Sequence, residues 1–352
     1  MSDRTLRLGF VGCGMMGQLA HLENYARLLN VELVALAEGR PRLAGLVADR
    51  YGFRRVYPDH RALAEDPEID AVVSVMGFDL NYGVVRDLLD AGKHVATEKA
   101  MCLTTAGAQE LVDRAAASER VYQVGYMKRF DPAVLHAREW IAARRADNAC
   151  GPLLHMRIWC AHGDWVWGSP PPLRTDEKPP AYDTSRAPRP ACESEEEFRW
   201  VIGWLNYYSH QTNLLRWLLG EEYTVEHYTA RPACDLVEVR SASGVPAFME
   251  FPHYQVAGWD EGFQCYFQRA VLRVDLPAPL ARQQSGTLTI TTAGEEARTE
   301  SPYLPPRWAF AEQARGFVAA ALGDGPQLSP ANEAAKDVAL AHELTVRRRG
   351  QV

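Results

Sequence analysis

An apolar run ends in Gly12-Cys13-Gly14-Met15-Met16-Gly17, a Gly-x-Gly-x-x-Gly turn, and an acidic side chain, Glu38, follows 21 residues after the last glycine. Glycines at this spacing let a strand turn tightly into a helix whose first N–H groups face a phosphate. Gly12 makes the turn, Gly14 lets a pyrophosphate approach the backbone, and Gly17 lets the helix lie close on its sheet. Glu38 stands at the end of a second apolar strand, Val31–Ala37, where a carboxylate accepts hydrogen bonds from the adenosine ribose and repels a 2′-phosphate. The chemistry expected is dinucleotide binding with NAD preferred to NADP. Arg40 and Arg42, just beyond, are the residues that would favour a phosphate.

These groups need a sheet behind them. From residue 1 to 125, apolar strand segments (69–75, 94–97, 121–124) alternate with helical ones (15–29, 80–91, 109–118). This predicts a Rossmann domain: a doubly wound parallel sheet covered by helices. Glu98 and Lys99 fall beyond the carboxyl end of a strand, where such sheets bind ligands.

Residues 126–352 predict a substrate-binding and oligomerisation domain of α+β class. It would hold a helix to about residue 145, a strand over 153–160, a helix over 200–219 ending at Gly220, and two last helices over 308–322 and 330–348. Six strand segments in series, from 224–228 to 286–291, imply a large, mostly antiparallel open sheet. One face would pack on helices and the other on a second copy, giving a homodimer or homotetramer. Within this domain, residues 163–199 are proline-rich and acidic (Asp164, Asp176, Glu177, Glu193, Glu195 to Glu197). They read as an inserted loop, partly ordered by Trp165, Trp167 and Tyr182.

With 38 Lys and Arg against 45 Asp and Glu, the chain carries a net charge of −7 and lacks the basic stripe that nucleic acid or an anionic membrane would need. The one basic cluster, Arg347 to Arg349, suits the end of the last helix. No apolar run reaches the length of a membrane span and no signal-peptide core follows Met1, so a cytoplasmic protein is expected. Seven cysteines, without a CxxC pair or a histidine at ligand spacing, read as reduced thiols and predict no metal site.

Four motifs in order resemble the Gfo/Idh/MocA family of nicotinamide-dependent sugar and cyclitol oxidoreductases. They are the glycine turn, Ala91 to Ala100 with Glu98-Lys99, Gly125 to Pro132 with Tyr126 and Arg129, and Asn206 to Gly220 with His210. The resemblance implies cofactor contacts from Gly12, Gly14, Met15, Met16, Gly17, Glu38, Arg40, Met76, Asn81, Glu98 and Lys99. Met76 and Asn81 stand where the family has a threonine and a cofactor-facing histidine, and Ala100 replaces the proline of the Glu-Lys-Pro motif. The lysine of that motif, here Lys99, orients the substrate hydroxyl and shares in proton transfer.

The family's Asp and His, four residues apart, match Asn206 and His210. On one helix they would project from a common face with Asn213 and Trp217, leaving Leu205, Tyr208, Thr212, Leu215 and Leu219 to the core. His210 is then the general base, while the Asn206 amide can bond a hydroxyl without raising the basicity of the imidazole. Tyr126 and Arg129 are expected in the substrate pocket, with His162, Asp164, His253 and Trp259 as further candidates.

The implied activity is hydride transfer between NAD and a secondary hydroxyl or ketone of a polyhydroxylated small molecule: a sugar, glycoside, amino sugar or cyclitol. The acidic insertion would suit a cationic substrate. The alternatives are a glycosidase-like enzyme that oxidises its sugar transiently, and a non-catalytic NAD-binding regulator on the same fold.

Overall fold

The computed structural model describes residues 4–166, 168–182, 187–294, 297–349 and 351; Trp167 lies outside the described residues. In chain order the first elements are β1 (Leu6–Val11), α1 (Gly17–Leu22 in π geometry, continued by Glu23–Ala26), β2 (Val31–Ala37), α2 (Pro41–Tyr51), β3 (Arg55–Tyr57), α3 (His60–Ala64), β4 (Ala71–Ser74), α4 (Phe78–Asp90), β5 (His94–Thr97), α5 (Thr105–Ser118) and β6 (Tyr122–Val124). Next come α6 (Pro132–Asp147), β7 (Leu153–Ala161), α7 (Glu195–Tyr207) and α8 (Ser209–Leu219). The chain ends with β8 (Tyr223–Arg231), β9 (Cys234–Ser241), β10 (Pro246–Pro252), β11 (Asp260–Phe267), β12 (Ala270–Leu276), β13 (Thr287–Thr292), β14 (Arg298–Glu300), α9 (Ala309–Leu322) and α10 (Ala331–Arg348).

Two compact units result. The first is Met1–Met127 with Pro170–Asn206 and Phe310–Leu340, and the second is Lys128–Ser169 with Tyr207–Ala309 and Ala341–Val352. In the first unit all six strands pair in parallel, in the order β3-β2-β1-β4-β5-β6. Helices cover both faces of such a sheet, so its inner strands read as continuous apolar runs; β4 is buried at every position. Phe10, Leu22, Tyr25 and Leu36 form the core with Phe317 of α9. Local signals set the helix ends. Pro41 opens α2 and Gly52, with φ +77°, closes it; the Asp59 carboxylate accepts from the N–H groups of Arg61 and Ala62 at the start of α3.

The second unit is built on an eight-stranded sheet, β14-β13-β12-β11-β7-β10-β9-β8, antiparallel throughout except for the parallel pair β7–β10. Its strands alternate buried and open positions, as one-sided sheets do. The doubly wound parallel sheet and the mostly antiparallel sheet agree with the fold class expected. Among the described residues no helix is long and apolar enough to cross a membrane.

Four local expectations fail. The helix expected over 200–219 is two helices, parted at Tyr208. The Tyr208 ring lies 4.2 Å from that of Phe251 and stacks with His162 and His253, so side-chain packing turns the chain where propensity would continue it. Residues 195–199 are helix, not loop. Three glutamates in the first turn complement the positive helix end, and Ser194 Oγ accepts from Glu197 N–H at 3.1 Å. Helix α8 has no polar face: Gln211, Thr212 and Asn213 are fully buried and Trp217 nearly so. The first helix is also shorter than the predicted 15–29, ending at Ala26.

Candidate active site

The glycine turn has the geometry a pyrophosphate requires. Gly12 has φ +82°, and a Cβ there would stand 2.6 Å from the carbonyl oxygen of Val75 and 2.7 Å from Met76 Sδ. A Cβ at Gly17 would lie 2.8 Å from the carbonyl oxygen of Gly12, whereas at Gly14 it would meet nothing within 4 Å. The turn is closed on the protein side and open at Gly14, so the residues fit a dinucleotide phosphate. Met15 is exposed and Met16 half-buried beside it. Gly12→Ala is expected to lower the melting temperature and remove measurable dinucleotide affinity, read by thermal unfolding and NADH fluorescence. Unchanged values in both would mean that the turn does not need the left-handed conformation.

Glu38 ends β2 and is buried. Its carboxylate accepts from the Cys13 N–H at 3.0 Å and from the Arg40 guanidinium at 2.8 and 2.9 Å. Burial pushes its pKa up, but the bonds from Arg40 and Cys13 outweigh that and hold it below the usual carboxylate range. Arg40, expected as a cofactor contact, is thus the partner of Glu38. Glu38, Gly12 and Met76 share a cavity of about 300 Å³ with α3, the start of α4, and Ala181, Tyr182 and Ala187. Tyr182 belongs to the segment read as an insertion.

At the end of β5, Lys99 Nζ donates to the Asn206 backbone carbonyl at 2.8 Å and to its side-chain Oδ1 at 3.0 Å. The ammonium also lies 5.8 Å from the centre of the Phe78 ring. Asn206 therefore fixes the position of Lys99. The Lys99–Ala100 peptide is cis. Asn81 is fully buried and donates to the Ala100 carbonyl at 2.8 Å, so it supports the lysine loop from beneath. Glu98 is buried with its Oε1 2.8 Å from Nε2 of His21, a side chain buried against Phe310.

In the second unit His210 is half-buried in the first turn of α8. It and Asn206 occupy separate helices, so their four-residue spacing does not give them a common helical face. Arg129 is buried, with Nη2 3.3 Å from the Asn213 carbonyl and its guanidinium 5.5 Å from the Trp217 ring centre, and it braces α8. Tyr126 is buried in the first unit. Lys128 is the neighbour of Arg129 in sequence. It is buried in an ion pair with Glu261, whose carboxylate also accepts from Gln211 Nε2 and from Trp259 Nε1 at 3.0 Å. Sequence does not say that Lys128 meets a carboxylate carried by a distant strand.

His162 lies against Tyr207 and Tyr208, and His253 Nε2 is 3.2 Å from Asp235. Asp164 accepts from the Val166 N–H in an exposed turn. The seven cysteines are free thiols, and no group of metal-binding side chains occurs among the described residues.

Residues 6–126 match the model of the Gfo/Idh/MocA family, described as an oxidoreductase family with an NAD-binding Rossmann fold. Inositol 2-dehydrogenase of Acidothermus cellulolyticus is 36% identical over 140 residues, 38% of this chain and 40% of that protein. Levoglucosan dehydrogenase of Pseudarthrobacter phenanthrenivorans is 30% identical over 163 residues, 44% of this chain and 40% of that one. The matched region thus spans about two fifths of these relatives. The crystal structure of scyllo-inositol dehydrogenase from Lactobacillus casei shares the fold, with a TM-score of 0.72 at 18% identity over 99% of this chain and 97% of that one. Residues 6–126, with their glycine turn and the strand that delivers Glu98 and Lys99, are thus similar to the NAD-binding Rossmann domain of the Gfo/Idh/MocA oxidoreductases.

Proposed function

We propose that this protein is an NAD-dependent dehydrogenase acting on a secondary hydroxyl of a cyclitol or sugar, and as a reductase in reverse. The observation that carries the reading is the Lys99 ammonium, held by two oxygens of Asn206 at the carboxyl end of the sheet that bears the glycine turn. Bound nicotinamide supplies the hydride acceptor. Lys99 donates to the substrate oxygen and orients it, and His210 takes the hydroxyl proton as the carbon is oxidised, an exchange an imidazole performs near neutral pH. Asn206 acts on the ammonium more than on the sugar, since its amide oxygen is turned to Lys99.

The names of the matched relatives favour a dehydrogenase over a glycosidase-like enzyme or a regulator, and inositols lead among them. A cationic substrate loses its motive. Asp176 pairs with Arg42, Glu177 accepts from the first N–H groups of α2, and Glu195 to Glu197 lie in the first turn of α7. For the assembly, Leu154, Leu236 and Phe248 stand exposed on neighbouring strands of the larger sheet and support pairing with a second copy there.

The test is reduction of NAD and NADP, followed by absorbance, with a panel of inositols, aldoses, glycosides and amino sugars. Turnover of at least one cyclitol or neutral sugar with NAD is expected. A protein that binds dinucleotide yet reduces it with no member of the panel would overturn the dehydrogenase reading.

A further inference from the structure

Residues 170–182 contain neither helix nor strand, yet they are tied to the first unit along their length. Leu173 exchanges two hydrogen bonds with the Gln18 side chain: its N–H donates to Oε1 at 2.8 Å and its carbonyl accepts from Nε2 at 3.1 Å. The same Nε2 donates to the Cys13 carbonyl at 2.8 Å, so the segment is fastened to the glycine turn itself. Glu177 then accepts from the N–H groups of Arg42 and Leu43, both at 3.0 Å, capping α2, while Thr175 donates to the same carboxylate at 2.8 Å.

Pro180 follows, lying directly on Gly39: a Cβ built there would be 2.4 Å from Pro180 Cγ and 3.5 Å from the Tyr182 hydroxyl. Ala181 and Tyr182 line the cavity that holds Glu38 and Met76, and Ala187 returns to it. Ordering an irregular chain costs backbone entropy at every residue. Pro170, Pro171, Pro172, Pro179 and Pro180 restrict the unfolded chain and reduce that cost. Such a segment is suited to a fixed wall.

We propose that residues 173–182 form a binding element for the adenosine half of the dinucleotide, with Pro180 and Tyr182 as its contact residues, and that the cofactor leaves slowly because this wall must first be displaced. The inference rests on reading the Glu38 cavity as the adenosine site. Its chemistry is that of a purine nucleoside: the Glu38 carboxylate stands where ribose hydroxyls would donate, and the wall adds an aromatic ring, on which a purine can stack.

The experiment uses the full chain. Affinities for NAD, ADP-ribose and nicotinamide mononucleotide are measured by calorimetry, and NADH release by stopped-flow displacement, for the wild type, Tyr182→Ala and Glu177→Gln, with thermal unfolding as a control. Tyr182→Ala is expected to weaken NAD and ADP-ribose about tenfold, as loss of one base–aromatic stack would, and to leave the mononucleotide unaffected. Glu177→Gln, which loosens the tie to α2, is expected to speed NADH release severalfold. If the wild type binds NAD while both variants keep its ADP-ribose affinity and its release rate, the wall has no part in cofactor binding and the proposal fails. If the wild type binds neither NAD nor ADP-ribose, the cofactor reading of the cavity fails and the proposal with it.

Discussion

Lys99→Ala is expected to lower kcat by about two orders of magnitude or more, the usual loss when a positioned proton-transfer group is removed, with the dissociation constant for NAD nearly unchanged. The ammonium is fixed by the carbonyl and amide oxygens of Asn206, at 2.8 and 3.0 Å, so a long flexible side chain is already arranged before substrate arrives. Arginine would not repair the loss, because a planar guanidinium cannot take the place of a compact ammonium between those two oxygens. His210→Ala is expected to fall by a similar factor. Steady-state kinetics on the substrate found in the panel, paired with NADH titration, separates chemistry from binding. Near-native turnover by either variant would remove that residue from proton transfer.

Glu38→Ser is expected to raise affinity for NADP relative to NAD by about tenfold to a hundredfold. A charge-assisted hydrogen bond contributes about 1.5–3 kcal/mol, and the substitution frees such a bond. In the wild type both arms of the Arg40 guanidinium are engaged by the Glu38 carboxylate. With serine there, the repulsion of a 2′-phosphate is gone and Arg40 can turn to it. Fluorescence titration of both cofactors with both proteins gives the ratio directly, and a wild type that already binds NADP more tightly would refute the assignment.

The pH dependence carries the same logic. Because Arg40 and Cys13 hold Glu38 ionised below the ordinary carboxylate pKa, NAD affinity should stay level from pH 8 down to about 5. The sign for stability follows: a depressed folded-state pKa stabilises the fold above the unfolded value. That contribution is lost as the pH falls through the folded one.

Much of the first unit was readable without coordinates because its signals are local. Gly12 must be glycine since its φ is positive and its Cβ would strike Val75, and a Gly-x-Gly-x-x-Gly run after an apolar strand announces that steric demand. The strands over 31–37, 69–75, 94–97 and 121–124 came from apolar periodicity, whereas α2, β3 and α3, between residues 41 and 64, were not read from it. The alternation in β9, β10 and β12 likewise foretells a one-sided sheet.

What the residue string by itself left open were the choices settled by groups far apart in the chain. Nothing local indicates that Tyr208 will break a strong helical pattern. The break comes from the rings of His162, just past β7, and Phe251, on β10, and places Asn206 and His210 on different helices. Nothing local indicates that Lys128 is buried in an ion pair, because the carboxylate it meets is Glu261, on β11. The proline-rich stretch looked like a loop with surplus negative charge. Its acidic side chains are instead partners for Arg42 and caps for two helix starts, and its prolines bring Tyr182 to the Glu38 cavity. Periodicity and capping act within a few residues of sequence. Charge pairing, ring stacking and the covering of a cavity depend on distances in space, which only the folded chain sets.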